Sequence, residues 1–166
     1  MDQSSDSGNP LCSVIVVGVD PGLAHLGWCV IDGPKSPSVL DCGHWKSSSK
    51  EPLHCRLRNL GALMKEIGEN HQPDRLALEW GAFHVSARQS LLVGTAIGTV
   101  ISSFPQDLPT VYLAPNQVKL AVTGYGKAPK DQVAFLLSQQ LKMPKDLSNH
   151  VSDAAAIAFT GLHSDA

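Results

Sequence analysis

The stretch VIVVGVDPGLAHLGWCVIDG, residues 14–33, decides the fold. Residues 13–20 form a β-branched apolar run without polar alternation, which predicts a central strand buried on both faces. Pro21 ends the run and Gly22 supplies a turn. Leu26 to Ile31 reads as a second strand only a few residues later, so the two form a hairpin. Asp20 is the charged group at the break. Taken alone, an aspartate before Pro-Gly is an ordinary turn former, and only the rest of the chain gives it another task.

Working outward, residues 39–45 read as a third strand after the turn at 32–38. Leu53, Leu57, Leu60, Leu63, Met64 and Ile67 recur at helical spacing within residues 52–70. Residues 74–80 alternate as a fourth strand. Residues 86–104 open on a serine cap and are apolar on nearly every side, which predicts a helix buried all round, in the core or against a second subunit. Residues 110–114 make a fifth strand, and Pro115 suits the first turn of a short helix ending near Val122. Two further helices follow at 130–142 and 150–163. The order β-β-β-α-β-α-β-α-α-α predicts one α/β domain over residues 13–166, a central five-stranded mixed sheet flanked by helices on both faces.

The chain has 166 residues, 43% of them hydrophobic and 17% charged, enough for a proper core in one domain. Residues 1–12 are polar and rich in Ser, Gly and Pro, and are expected to be a disordered extension. They carry no positive n-region, and the apolar run after them is too short for a signal core or a membrane span. A protein that is not secreted, cytoplasmic (nucleoid-associated) or organellar, is the expectation. Cys12, Cys29, Cys42 and Cys55 contain no C-x-x-C pair and read as reduced structural thiols. A net charge of −2 argues against a general polyanion binder, so any nucleic-acid surface is a local patch. Between residues 115 and 145 five lysines (119, 127, 130, 142 and 145) face only Asp131, which makes this segment the expected patch. Arg56, Arg58 and Arg88 either extend it or are ordinary helix-surface charges.

The acids fall in a pattern. Asp20 ends the first strand, and Glu79 ends the fourth between Leu78 and Trp80. His150 and Asp153 are three residues apart and share a helix face. If strands one and four are neighbours, both carboxylates lie at one sheet edge, where the last helix can bring His150 and Asp153. Such a group repels itself unless a cation sits among its members. Oxygen donors with one nitrogen suit Mg²⁺ or Mn²⁺, and two such ions about 3.5–4 Å apart are the usual clamp for phosphodiester hydrolysis. Each residue also has a duller role: a turn for Asp20, and a helix cap and first-turn acid for His150 and Asp153. An in-strand glutamate such as Glu79 is harder to explain without a partner.

On these residues the chain resembles the RuvC family of Holliday-junction resolvases, of the ribonuclease H-like fold. GVDPGLAHLGWCVID is similar to that family's opening G-I-D-P-G strand and hairpin, LALEW to its glutamate strand, and HVSDAAAIAFTGLH to its closing helix. LAPNQVKLAVTGYGKAPKDQV resembles the segment around its two lysines. The resemblance runs from about Val14 to His163. It implies that Asp20, Glu79, His150 and Asp153 are catalytic and bind two Mg²⁺ ions, with Mn²⁺ as a substitute. His150 stands where many members have a third aspartate, and a histidine ligates only as the neutral ring. Lys119 and Lys130 would contact backbone phosphates, with Lys127 and Arg88 as further DNA-binding residues. Members often place a junction-wedging aromatic three residues after the glutamate. Here that position is Ala82, and the neighbouring Phe83 is the candidate wedge.

The resemblance further implies a homodimer that nicks opposite strands of a four-way junction, leaving 5′-phosphate and 3′-hydroxyl ends, with a branch-migration helicase complex as a partner. Gly94-x-x-x-Gly98 and Ala96 in residues 86–104 would let helices approach closely at a dimer interface. Three other readings compete. A related nuclease acting on structured RNA would share the acids. A non-cleaving junction-binding protein would not need them all. An actin-like ATPase would need a second glycine-rich phosphate loop, and none is evident.

Overall fold

A computed structural model describes residues 13–81, 86–144 and 147–164. The expected disordered extension at 1–12 lies outside the described residues, as does Phe83. The elements follow in the expected order: β1 (Ile15–Asp20), β2 (His25–Asp32), β3 (Ser38–Lys46), α1 (Leu53–His71), β4 (Arg75–Glu79), α2 (Ala87–Ser102), β5 (Thr110–Leu113), α3 (Pro115–Thr123), α4 (Lys130–Leu141) and α5 (Asn149–Leu162). One sheet runs β3-β2-β1-β4-β5. β1 pairs antiparallel with β2 and parallel with β4. The sheet is therefore mixed, and β1 is its middle strand.

Strand alternation divides the core into two layers. Val17, Val19, Leu76 and Leu78 pack with Leu60, Met64 and Ile67 of α1 and with Ala96, Ile97 and Val100 of α2. Val16, Cys29, Ile31 and Ala77 pack on the opposite side with residues of α3, α4 and α5. The sheet is covered on both faces, as its uninterrupted apolar strands require. Among the described residues no helix is long and apolar enough to cross a membrane.

α5 lies closest to the sheet. A Cβ on Gly18 would stand 2.3 Å from the backbone nitrogen of Ala158, and one on Gly27 would stand 2.0 Å from the carbonyl oxygen of His150. Only glycine lets the helix backbone approach β1 and β2 so nearly. The helix starts before His150: Ser148 is its cap and accepts from the Val151 amide. At the far end Arg75 donates to the carbonyls of Gly161 and Ser164, anchoring the last turn to β4.

One expectation is narrowed and one corrected. Among the described residues the core takes only one side of α2, which leaves the other expected neighbour, a second subunit, for the rest. Ser86 caps the helix as expected, but only Ala96, Ile97 and Val100 are buried, while Leu91 is 68% exposed and Gly94 and Gly98 face outward. One sheet face receives one side of a helix, and among the described residues nothing covers the other side. Arg56 is not a surface charge, being only 7% exposed. It donates to Ser47 Oγ at 2.8 Å and to the Leu23 carbonyl at 3.1 Å, pinning the turn that follows Asp20. Cys29, Cys42 and Cys55 are free thiols. Burial pushes the Cys29 thiol well up, which keeps it inert.

Candidate active site

Asp20 and Glu79 end neighbouring parallel strands. Val19 pairs with Leu78, so the two carboxylate residues are the next rung of the ladder. Since Val19 and Leu78 point toward α1 and α2, alternation turns Asp20 and Glu79 toward α5. The carboxyl end of a parallel pair is where α/β sheets place their ligands. α5, held down by Gly27, delivers the rest. His150 Nδ1 donates to Asp20 Oδ2 at 2.8 Å. Lys130, the first residue of α4, donates through Nζ to Asp153 Oδ2 at 2.5 Å.

The electrostatics match a site that wants a cation. Burial, together with the Asp153 charge, raises the Asp20 carboxyl above its ordinary value, against the hydrogen bond from His150. Glu79 is raised as well, first by burial and then by the charges of Asp20 and Asp153, while Lys130 and Lys119 pull it back. Three carboxylates thus press on one another, and the ammonium of Lys130 sits where positive charge is called for. Hard oxygen donors with one imidazole fit Mg²⁺ or Mn²⁺.

A cleft of about 700 Å³ opens beside Asp20, Glu79 and His150, walled by Leu23, Arg56, Trp80, Leu92, Val93 and Ile97. Trp80 is half exposed at its rim and stands edge-on to Tyr112. Of the lysines singled out in the sequence, Lys130 touches the acids, and Lys119 on α3 lies near enough to influence Glu79. Lys127, in the loop before α4, and Arg88, in the first turn of α2, are exposed and make no ion pair among the described residues. Neither is brought to the carboxylates.

Comparison with known proteins decides the family. The family model of crossover junction endodeoxyribonuclease RuvC matches residues 16–161. The chain belongs to the RuvC family. Its curated relatives include RuvC of Rickettsia bellii, 34% identical over 152 residues, which span 90% of this chain and 97% of that one. RuvC of Chlorobaculum parvum is 37% identical over 154 residues, 90% of this chain and 81% of the other. Among solved structures, T. thermophilus RuvC in complex with Holliday junction substrate superposes with a TM-score of 0.84 at 32% identity, covering 89% of this chain and 92% of that chain. The ribonuclease H-like sheet expected from the sequence is therefore the fold of RuvC.

Sequence reasoning passed over two histidines. His44 pairs with Gly27 across the β2–β3 ladder, and Gly27 underlies the His150 carbonyl. His25 lies two residues before Gly27, on the same strand face. Both rings therefore stand beside His150, with ring centroids 5.0–5.4 Å apart in all three pairs. His44 has its pKa lowered, by desolvation and by the neighbouring His150, Lys46 and His25. The signal in the sequence was partial: alternation puts His25 and Gly27 on one face of β2, but the register that sets His44 opposite Gly27 includes a shift at Val30/Ile31 that only the paired strands reveal.

Proposed function

We propose that this RuvC protein is a homodimeric, Mg²⁺-dependent endonuclease that resolves four-way DNA junctions by paired nicks on opposite strands. The observation that carries this reading is the meeting of Asp20, Glu79, His150 and Asp153 at the carboxyl ends of β1 and β4. Those four residues would hold the divalent ions. Two ions bound there supply an activated water and stabilise the leaving oxygen of an in-line phosphodiester displacement.

The residues of the chain have separable tasks. Asp20, on the middle strand and hydrogen-bonded to His150, would be a ligand of the divalent ions. Arg56 fixes the turn behind it. Lys130 offsets Asp153 and, with Lys119, lowers the cost of bringing a phosphate to a group of acids. Lys127 and Arg88 serve as outlying phosphate contacts, and Phe83 as the wedge at the junction centre. The uncovered side of α2, with Leu91, Gly94 and Gly98, supports dimerisation. Leu91 is exposed there, and the two glycines leave room for a second backbone.

Cleavage of a labelled four-way junction, with the cut sites mapped, tests the proposal in Mg²⁺, in Mn²⁺ and in chelator. Symmetric nicks are expected with either ion and none with chelator, while linear duplex and folded RNA stay intact. Asp20→Asn, Glu79→Gln and Asp153→Asn should each abolish cutting while keeping junction binding. Normal cutting by Asp20→Asn would refute the assignment of the site, and preferential cutting of folded RNA would refute the substrate.

A further inference from the structure

Beside the carboxylates lies a second group of possible metal donors. One ring nitrogen from each of His25, His44 and His150 falls within 4.8 Å of the other two. His25 Nδ1 and His44 Nε2 are 3.2 Å apart. An ion about 2.0–2.1 Å from each nitrogen, with ligands at tetrahedral angles, holds nitrogens about 3.3 Å and ring centroids about 5.2 Å apart. The observed centroid separations are 5.3, 5.4 and 5.0 Å. The ring centroids already have the spacing of ligands around one ion, and the nitrogen pairs that are wider, at up to 4.8 Å, would close through side-chain rotation of His25 and His44.

We propose that His25, His44 and His150 form a transition-metal site, for Zn²⁺ or an ion of similar preference, that shares His150 with the carboxylate centre and antagonises divalent-ion binding there. An all-nitrogen donor set selects later first-row metals over Mg²⁺, which prefers oxygen. The antagonism follows from the shared ring. With Nδ1 of His150 hydrogen-bonded to Asp20 at 2.8 Å, Nε2 is the nitrogen left to offer. Asp20–His150–ion is then a carboxylate–histidine–metal relay, in which the carboxylate fixes the ring instead of facing an ion of its own. Zinc at the three histidines thereby withdraws both His150 and Asp20 from the neighbouring centre.

This antagonism rests on the proposed carboxylate centre, but the histidine site does not, and two binding measurements on the full chain without DNA separate them. In the first, Zn²⁺ alone is titrated by calorimetry. One ion per chain is expected, with affinity reduced at least tenfold in His44→Ala and in the isosteric His44→Gln, and kept in Glu79→Gln. Equal affinity in both His44 variants, or loss of zinc binding in Glu79→Gln, would overturn the site, because the ion would then lie on the carboxylates. In the second, bound Mn²⁺ is followed by electron paramagnetic resonance while Zn²⁺ is added. Zinc is expected to release Mn²⁺ from the wild-type chain severalfold more readily than from His44→Ala, which binds Mn²⁺ normally without zinc. Equal release from both would overturn the antagonism, and failure of the wild type to bind Mn²⁺ at all would count against the carboxylate centre on which it rests.

Discussion

α5 and α2 are made of similar material and meet opposite fates. Both are rich in alanine, glycine and aliphatic residues, and each contributes to the core on one face of the sheet. Nine of the fourteen residues of α5 are buried, against three of the sixteen in α2. The difference lies underneath them. α5 rests on Gly18 and Gly27, whose missing side chains admit its backbone, whereas the glycines of α2 belong to the helix itself and point away from the sheet. Small residues on a sheet let a helix in. Small residues on the outer side of a helix leave space for something else.

The largest effect comes from closing the space under α5. A Cβ at position 27 meets the His150 carbonyl, and backbone cannot swing aside as a flexible side chain would. Gly27→Ala should cost about 3 kcal/mol, lowering the Tm by ~6–12 °C for a chain of this length. It should also lift His150 off Asp20 and end junction cutting. Thermal unfolding and the cleavage assay read the two effects together. At Gly98, by contrast, an added Cβ meets nothing within 4 Å. Gly98→Ala should therefore raise the stability of the dilute chain by about 0.5–1 kcal/mol, through helix propensity alone.

The comparison sharpens further on the open side of α2. Leu91→Asp puts a charge into the proposed interface while leaving the core contacts of Ala96, Ile97 and Val100 untouched. Sedimentation should show the dimer dissociation constant rising at least tenfold, about 1.4 kcal/mol, with unfolding of the dilute chain unchanged. A monomer in both proteins, or a dimer indifferent to the change, would leave α2 without its partner. Lys119→Ala has a smaller consequence. Loss of one phosphate contact should weaken junction binding evenly across sequences and reduce the slope of log affinity against log salt by about 1.

The strands and both layers of the fold were legible because β-branched runs, alternation and helical spacing are properties of adjacent residues. The acids were legible for a related reason: Asp20 and Glu79 each end a strand, so one assumption about strand neighbours joins them. What escaped depends on contacts across the fold. The solvent side of α2 keeps Leu91, Gly94 and Gly98 among its residues, so the letters alone do not tell which side the sheet will take. Arg56 reads as one more helix charge until the Leu23 carbonyl and Ser47 are seen around it. His25 and His44 sit in polar positions of a hairpin whose register only the paired strands fix.

A small effect on stability, and the one most diagnostic of how the site is built, concerns Glu79. Its pKa is raised by burial and by Asp20 and Asp153, so in the folded chain the charged form is disfavoured. A raised acid contributes stability that is fully present below its unfolded value and lost as pH rises through the folded value. In chelator, Glu79→Gln removes a charge that the fold holds at a cost, and it should make the protein more stable at neutral pH while abolishing cutting. Solvent in the cleft screens the repulsion, so the gain is about 1 kcal/mol at most, or ~2–4 °C in Tm. The gain should vanish as the pH is lowered to about 4, where the glutamate of the unfolded chain protonates too. Added Mg²⁺ should reverse the order, because only the wild type has the full set of carboxylates through which a bound ion stabilises the folded chain by mass action. A Glu79→Gln protein less stable than wild type at every pH would mean that the carboxylate makes a favourable contact of its own. The α5 face would then be held by its acids as well as by its glycines.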